Sequence, residues 1–266
     1  NSVQRLFSSK NDLPGRTPWM TRKNFVVAVG SLLASSSVLL ELYSRIGALF
    51  ITDEPKQFLP PLASDTKNVR HATVVFHGSG GQDTYTDTLM GRIRKNNPSQ
   101  YNEIVEWSKY SANIFQASYN GELIGKLVGK QLLRDNDSVG LETIHLIGIS
   151  VGSFGADAAA RELKKGLDAQ SRSDSRHQQR LPYVQLTLLD PFTQRGIFGV
   201  GYGNKVFGTS SDYAQQFLNT DDPVPSTNAP LEHVVCYDIT DLRPDDVFGH
   251  DWPVAFYAQS EDCGKI

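Results

Sequence analysis

A serine at the centre of a short glycine motif is the residue whose setting most clearly points to chemistry. The pattern G-x-S-x-G spans residues 148–152, with Ser150 at its centre, after an apolar run at 144–147 and before small residues at 153–160. A serine hydroxyl is a poor nucleophile until the fold holds it exposed beside a base. A sharp turn from strand to helix does this, and it needs glycine wherever a Cβ would collide with backbone. The motif therefore predicts a nucleophilic Ser150.

A second glycine-rich stretch, residues 77–81 (HGSGG), follows an apolar run at 72–76. A turn of this composition exposes backbone N–H groups, which can stabilise the negative oxygen that develops during acyl transfer. The sequence predicts an oxyanion hole formed by the N–H groups of Val151, Ser79 and Gly80.

Position along the chain favours one of the six histidines as the base. His250 lies in a loop between the last predicted strand and the last predicted helix, where an imidazole can reach a serine at the same sheet edge. His233, which opens a strand, is the second candidate. His145 is predicted to be a structural core histidine and His77 to shape the glycine-rich turn, whereas His177 falls in a polar insertion.

The base needs a carboxylate that fixes its tautomer and stabilises the imidazolium. Asp190 ends the strand that follows the serine motif and is the preferred candidate. Asp222, in a DDPVP turn one element later, is the alternative acid. This chemistry needs no metal and no organic cofactor, so the sequence predicts neither.

In this arrangement the chain resembles the α/β-hydrolase fold, and within it the lipases that are similar to pancreatic lipase. The resemblance rests on the serine motif, the glycine-rich turn and the Leu189-Asp190-Pro191 motif, and it extends over residues 72–257. It implies an α/β-hydrolase fold with a mostly parallel sheet, helices on both faces, and hydrolysis of carboxylic esters. Because the segment before residue 71 is too short for the first two strands of that fold, we expect a sheet of about six strands. The Asp-x-Val-Pro turn of fungal lipases is similar to the turn that holds Asp222.

Strand and helix patterns alternate along the domain, which is typical of a parallel sheet. Apolar, β-branched runs predict strands at 72–76, 112–119, 143–147, 183–189 and 233–239. Helices are predicted at 84–95, 122–134, 151–165 and 252–257. Residues 213–219 fit either a helix or a strand, and residues 168–180 are predicted to be a polar loop.

An apolar loop, residues 192–208, contains five glycines. It fits either a flexible wall for an acyl chain or a loop packed on its neighbours, and the sequence leaves both interpretations open.

The chain before the domain is predicted to form three segments. Residues 1–24 are basic, with five Lys or Arg against one Asp. Residues 25–51 are predicted to form a hydrophobic helix of roughly 40 Å, which exceeds the bilayer core of about 30 Å. Residues 52–70 hold three prolines and are predicted to be a linker to the domain at 71–266.

The hydrophobic segment predicts a membrane anchor, with a signal sequence or an amphipathic helix against a partner as alternatives. We expect an organelle membrane, such as the mitochondrial inner or plastid thylakoid membrane, with the secretory pathway as the alternative. The competing hypothesis is an accessory subunit of an organellar membrane complex that retains a hydrolase fold.

The expected partners are a lipid or other ester substrate, the membrane through residues 25–51, and other subunits of such a complex. The chain has a net charge of −3 and no basic stripe with interleaved aromatic residues, which argues against nucleic-acid binding. Cys236 and Cys263 can pair once or stay free.

Overall fold

The computed structural model describes residues 22–62, 69–173, 181–261 and 263–264. Most of the predicted basic segment, His177 and the end of the predicted polar insertion lie outside the described residues. Contacts divide the chain into two units between Leu39 and Leu40, and the second unit holds the sheet.

One sheet of six parallel strands forms the centre of the second unit. Its strands are β1 (His71–Phe76), β2 (Tyr101–Val105), β3 (Thr143–Ile149), β4 (Tyr183–Leu189), β5 (Tyr213–Leu218) and β6 (Val235–Asp238). Their spatial order is β2-β1-β3-β4-β5-β6. Because the strands are parallel, their carboxyl ends lie at one edge, where ligand sites of open α/β sheets form.

Helices precede, connect and follow these strands. They are α1 (Arg22–Leu49), α2 (Pro55–Phe58), α3 (Thr84–Asn96), α4 (Ser108–Ser111), α5 (Ile114–Val139), α6 (Ser153–Ser173), α7 (Tyr202–Val206) and α8 (Trp252–Gln259). Short 3₁₀ turns occupy Ser150–Gly152 and Thr240–Leu242.

The two faces of the sheet are covered by different helices, since alternate residues of a strand point to opposite faces. Val74 of β1 lies in a buried cluster with residues of α5 and α6. Val75, the next residue, lies in a separate buried cluster with residues of α3 and α8. The predicted class, an α/β fold with a parallel sheet and helices on both faces, is confirmed at this level.

Several predicted elements are confirmed with small shifts of their ends. The strands at 72–76, 143–147 and 183–189 are β1, β3 and β4, and the undecided segment at 213–219 is strand β5. The strand predicted at 233–239 is shorter, since β6 begins at Val235.

The strand predicted at 112–119 is wrong, because these residues lead into the long helix α5. The Asn113 side chain accepts a hydrogen bond from the Phe115 N–H and so caps the helix. Further along, a Cβ on Gly125 would lie 2.1 Å from the Gly155 carbonyl oxygen of α6. Close approach of two helices, rather than the β-branched and aromatic residues at its start, therefore decides the structure of this segment.

The chain before β1 contributes to the core of the second unit. In the segment predicted as a linker, α2 covers Pro55–Phe58, and Phe58 and Leu59 are buried in the cluster that contains Val74. The helix α1 covers most of the segment predicted as a hydrophobic helix at 25–51.

For the residues that the structure describes, no helix has both the length and the apolar character needed to cross a membrane. Cys236 and Cys263 are both free thiols.

Candidate active site

Ser150 lies on a sharp turn between β3 and α6. The strand ends at Ile149, Ser150 has a left-handed backbone with φ +52°, and a single 3₁₀ turn leads into α6. Left-handed backbone is uncommon for a residue with a side chain and is often found at functional sites. The side chain is partly exposed at the carboxyl edge of the sheet, as a nucleophile requires.

The glycines on either side of Ser150 have no room for a side chain. A Cβ on Gly148 would lie 2.6 Å from the Ser153 Cα, and a Cβ on Gly152 would lie 2.3 Å from the Phe76 carbonyl oxygen. Both distances are far shorter than van der Waals contact. The spacing of the motif is therefore a steric requirement of the turn, which packs against the end of β1.

Asp190 follows β4 in the same way that Ser150 follows β3. It is fully buried, its backbone φ is +48°, and its Oδ2 lies 2.7 Å from His250 Nδ1. The loop that carries His250 is fixed by the Asn219 amide, which donates to the Gly249 carbonyl at 2.9 Å. The structure therefore brings the predicted base and the preferred acid into direct contact.

Asp222 reaches the same imidazole nitrogen from the turn after β5. Its Oδ2 lies 2.8 Å from His250 Nδ1. The Thr227 hydroxyl donates to this same oxygen, and the Val224 N–H donates to Oδ1 at 3.1 Å. Both candidate acids therefore contact the same nitrogen of His250. The sequence presents the two acids as alternatives, whereas the structure brings both of them to the imidazole.

Burial and the neighbouring charges shift the titration of all three groups. Burial is the main cause that raises the pKa of Asp190 to about 7. Burial also acts on Asp222, but hydrogen bonds from Asp190, Thr227 and Val224 outweigh it and lower its pKa. For His250, burial opposes the charged form, while the two carboxyl groups overcome that effect and raise the pKa above its ordinary value.

His145 and His233 lie in surroundings different from that of His250. His145 is fully buried, and its Nε2 lies 2.8 Å from the Thr187 hydroxyl. Burial lowers the pKa of His145 to about 3, so the ring is neutral in the core. His233, the second candidate base, is exposed and precedes β6, at the sheet edge opposite to Ser150.

The glycine-rich turn lies beside Ser150. A Cβ on Gly78 would lie 3.6 Å from the Ser150 Cβ. The Gly80 N–H donates to the Ser111 hydroxyl at 3.2 Å, and the Ser79 hydroxyl donates to the Ser111 carbonyl at 3.0 Å. Of the two predicted donors in this turn, Gly80 therefore already has a partner within the protein.

A buried aromatic residue that sequence reasoning missed supports this turn. The Trp107 indole N–H donates to the His77 carbonyl at 3.2 Å, and the two rings stack with centroids 5.5 Å apart. His77 is buried, and burial lowers its pKa. Trp107 lies two residues after β2, a strand that the sequence did not predict. The residues around Trp107 in the sequence do not indicate that its ring supports the glycine-rich turn.

The apolar loop at 192–208 is packed at its base and exposed at its tip. Phe192 packs partly buried against the core and Phe207 is fully buried, in edge contact with Phe154. Phe198 and Val200, at the tip, are 59 % and 76 % exposed. The base of the loop is packed, whereas its tip presents apolar side chains to solvent.

The tip of the apolar loop is attached to Glu41, near the end of α1. The N–H groups of Ile197 and Phe198 donate to Glu41 Oε2 at 2.8 and 3.3 Å. The Tyr119 hydroxyl and the Arg45 guanidinium donate to Oε1 at 2.5 and 2.8 Å. Although burial opposes ionisation, these hydrogen bonds lower the pKa of Glu41 to about 2, so this carboxylate holds the loop while charged.

Not every predicted contact is present. Within the residues that the structure describes, no hydrogen bond joins the Ser150 hydroxyl to His250. One side-chain N or O atom from each of Asp190, Asp222 and His250 lies within 4.8 Å of the other two.

The chain matches no protein-family model and no curated protein sequence.

Proposed function

We propose that this protein is a serine hydrolase that cleaves carboxylic esters, with Ser150 as nucleophile and His250 as base. The observation that carries the proposal is the pairing of two features at one sheet edge. Ser150 stands on a left-handed turn after β3, and a buried carboxyl group after the adjacent strand β4 contacts the imidazole of His250.

The tautomer of His250 supports the role of base. Nδ1 faces Asp190 and Asp222 and so carries the proton that these carboxyl groups accept. Nε2 then has its lone pair free to take the proton of the Ser150 hydroxyl. The hydrogen bond between nucleophile and base often forms or shortens only once substrate is bound.

The proposed reaction begins with attack of the Ser150 oxygen on the ester carbonyl carbon. The hydroxyl proton passes to His250 Nε2, a carbon–oxygen bond forms, and the carbonyl electron pair moves onto oxygen. His250 then returns the proton to the leaving alcohol, and water repeats the sequence to release the acid.

The N–H groups of Val151 and Ser79 are the proposed donors to the oxyanion. Gly80 is less suited because its N–H already donates to Ser111. One such donor typically contributes about 3 kcal/mol to stabilisation of the transition state.

The exposed tip of the apolar loop supports an ester with an apolar acyl group, because Phe198 and Val200 provide apolar surface on the loop that starts next to Ser150. Attachment to a membrane through residues 25–51 and association with other subunits stay predictions.

The experiment is hydrolysis of p-nitrophenyl esters of increasing acyl length by the full chain, the Ser150→Ala variant and the Ser99→Ala variant. Ser99 is exposed and belongs to no part of the site, so it controls for the substitution itself. We expect activity in the full chain and in Ser99→Ala, and loss in Ser150→Ala. Equal rates of hydrolysis in all three proteins would refute the proposal.

A further inference from the structure

Two carboxyl groups share one imidazole nitrogen in this site, although one is enough to orient a base. Asp190 Oδ2 and Asp222 Oδ2 lie 2.7 and 2.8 Å from His250 Nδ1. One carboxyl oxygen of Asp190 and one of Asp222 also lie within 4.8 Å of each other. Two carboxylates at this distance repel each other, so the pair favours the state in which one of the two groups keeps a proton.

The surroundings of the two groups differ in the number of donors. Asp222 accepts from the Thr227 hydroxyl, the Val224 N–H and the His250 Nδ1–H. Besides His250, the Asp190 carboxyl accepts only from the Asn219 N–H at 3.5 Å, the limit of a hydrogen bond, within the described part of the chain. Donors stabilise the charged form of a carboxyl group, whereas burial without donors favours the neutral form.

We propose that Asp190 and Asp222 carry one negative charge between them, with Asp222 as the carboxylate and Asp190 as the carboxylic acid that donates its proton to Asp222. In this arrangement, Asp222 stabilises the imidazolium directly. Asp190 is a positioning residue that holds Asp222 and His250 in place without adding charge.

The directions in which the pKa values of the two carboxyl groups shift agree with this assignment. Burial raises the pKa of Asp190, and hydrogen bonds lower that of Asp222. The proton on Asp190 also matters for catalysis, since two negative charges against one imidazole would favour imidazolium and weaken the base. During the reaction, the serine proton moves to His250 Nε2, and the Asp190 proton stays in place.

Other titratable groups near this cluster are few among the described residues. Asp251 follows His250 in the chain. Burial and the negative charges of Asp83 and Asp222 raise the pKa of Asp251. Asp83 caps the helix α3 through its contact with the Thr86 N–H. These two acids remain unchanged in the variants below, so they contribute equally to each measurement.

The charge assignment is tested without turnover by an NMR titration of the His250 ring in the full chain and in Asp190→Asn, with His250→Asn used to assign the signal. Asparagine imitates a protonated carboxyl group and tolerates a left-handed backbone, so the variant preserves the turn. We expect the His250 pKa to change by less than about one unit. A fall of one unit or more would show that Asp190 carries charge and would overturn the assignment.

The catalytic roles assigned to Asp190 and Asp222 rest on the proposed function. They are tested by the rates of ester hydrolysis in Asp190→Asn and Asp222→Asn. An amide at position 222 places N–H groups where Thr227 and His250 donate, so we expect a loss on the order of 100-fold or more. In Asp190→Asn we expect a smaller loss, on the order of 10-fold, with the pH profile of kcat/KM unmoved, because the amide keeps its place beside Asp222 and His250. A loss in Asp190→Asn as large as that in Asp222→Asn would overturn this role. An inactive wild type would instead refute the proposed function and leave the NMR result standing.

Discussion

Ser150 and Asp190 occupy equivalent positions at the ends of neighbouring strands. Each comes one residue after the paired residues Ile149 and Leu189, and both have left-handed backbone, with φ +52° and +48°. The Phe192 N–H donates to the Ser150 carbonyl at 3.1 Å and joins the two turns. The two left-handed turns together place Ser150 and Asp190 side by side at the carboxyl edge of the sheet.

The left-handed backbone at Ser150 predicts an unusual order of stability among variants. Alanine keeps the cost of this conformation, which is about 1–2 kcal/mol for a residue with a Cβ, whereas glycine removes it. We therefore expect Ser150→Gly to be more stable than Ser150→Ala by about 1 kcal/mol. Urea unfolding of both variants measures the difference, and equal stability or the reverse order would refute strain at this position.

The lack of space around the glycines of the serine motif predicts that alanine at these positions destabilises the folded protein. Because a Cβ on Gly152 would lie 2.3 Å from the Phe76 carbonyl oxygen, we expect Gly152→Ala to lower the free energy of unfolding by about 1–3 kcal/mol. The matched control is Gly91→Ala, within α3, where a Cβ meets no atom within 4 Å. There alanine should stabilise the helix by about 0.5–1 kcal/mol. Similar effects at the two positions would contradict the account.

Local sequence was sufficient to predict much of the sheet and the serine turn. Apolar β-branched runs predicted β1, β3 and β4, because a buried parallel strand needs apolar residues on both faces. Ser150 was recognisable because the turn leaves no room for a Cβ at either flanking position, so the two glycines appear at a fixed spacing in the sequence.

Elements that depend on distant contacts were not predictable in this way. The segment 112–119 has β-branched and aromatic residues, yet the cap at Asn113 and the close contact of Gly125 with α6 make it helical. The strand β2 was missed because its short sequence, YNEIV, places the polar residues Asn102 and Glu103 between its apolar residues. The shared contact of Asp190 and Asp222 with His250 depends on how three turns meet in space, which no local pattern records.

The role of His250 predicts a pH dependence. Only a neutral imidazole accepts the serine proton, and the two carboxyl groups raise the His250 pKa. Ester hydrolysis should therefore fall as the pH drops through an apparent pKa above the ordinary histidine value of about 6.5. The pH profile of kcat/KM measures this value, and a rate that stays constant down to pH 6 would be inconsistent with it.

Substitution of the base should remove most of the activity. We expect His250→Asn to lower kcat/KM by at least about 10³-fold, because in the proposed mechanism His250 is the group that accepts the serine proton. His233→Asn is the matched control, since His233 is exposed at the opposite edge of the sheet, and it should retain wild-type activity. Retained activity in His250→Asn, with loss in His233→Asn, would assign the base to His233.

The buried ring of His145 predicts a dependence of stability on pH. Its pKa is about 3 in the folded protein and about 6.5 in the unfolded chain, so only the unfolded chain binds a proton between these values. This contribution to stability is complete above pH 6.5 and falls by about 1.4 kcal/mol per unit as the pH drops toward 3.

Urea unfolding of the wild type and of His145→Gln between pH 7 and pH 4.5 isolates this contribution. We expect the stability difference between the two proteins to shrink as the pH falls. His233→Gln provides the control, because that side chain is exposed. A difference for His145→Gln that is independent of pH would contradict a neutral buried ring.

The most direct measurement of the central claim is covalent labelling of the full chain with a fluorophosphonate, followed by mass spectrometry of the modified peptide. Such a probe reacts with a serine that a neighbouring base has activated. We predict one phosphonyl group on Ser150, no labelling of Ser150→Ala or His250→Asn, and normal labelling of Ser99→Ala. A folded wild-type chain that stays unlabelled, or that is labelled on another serine, would contradict the account.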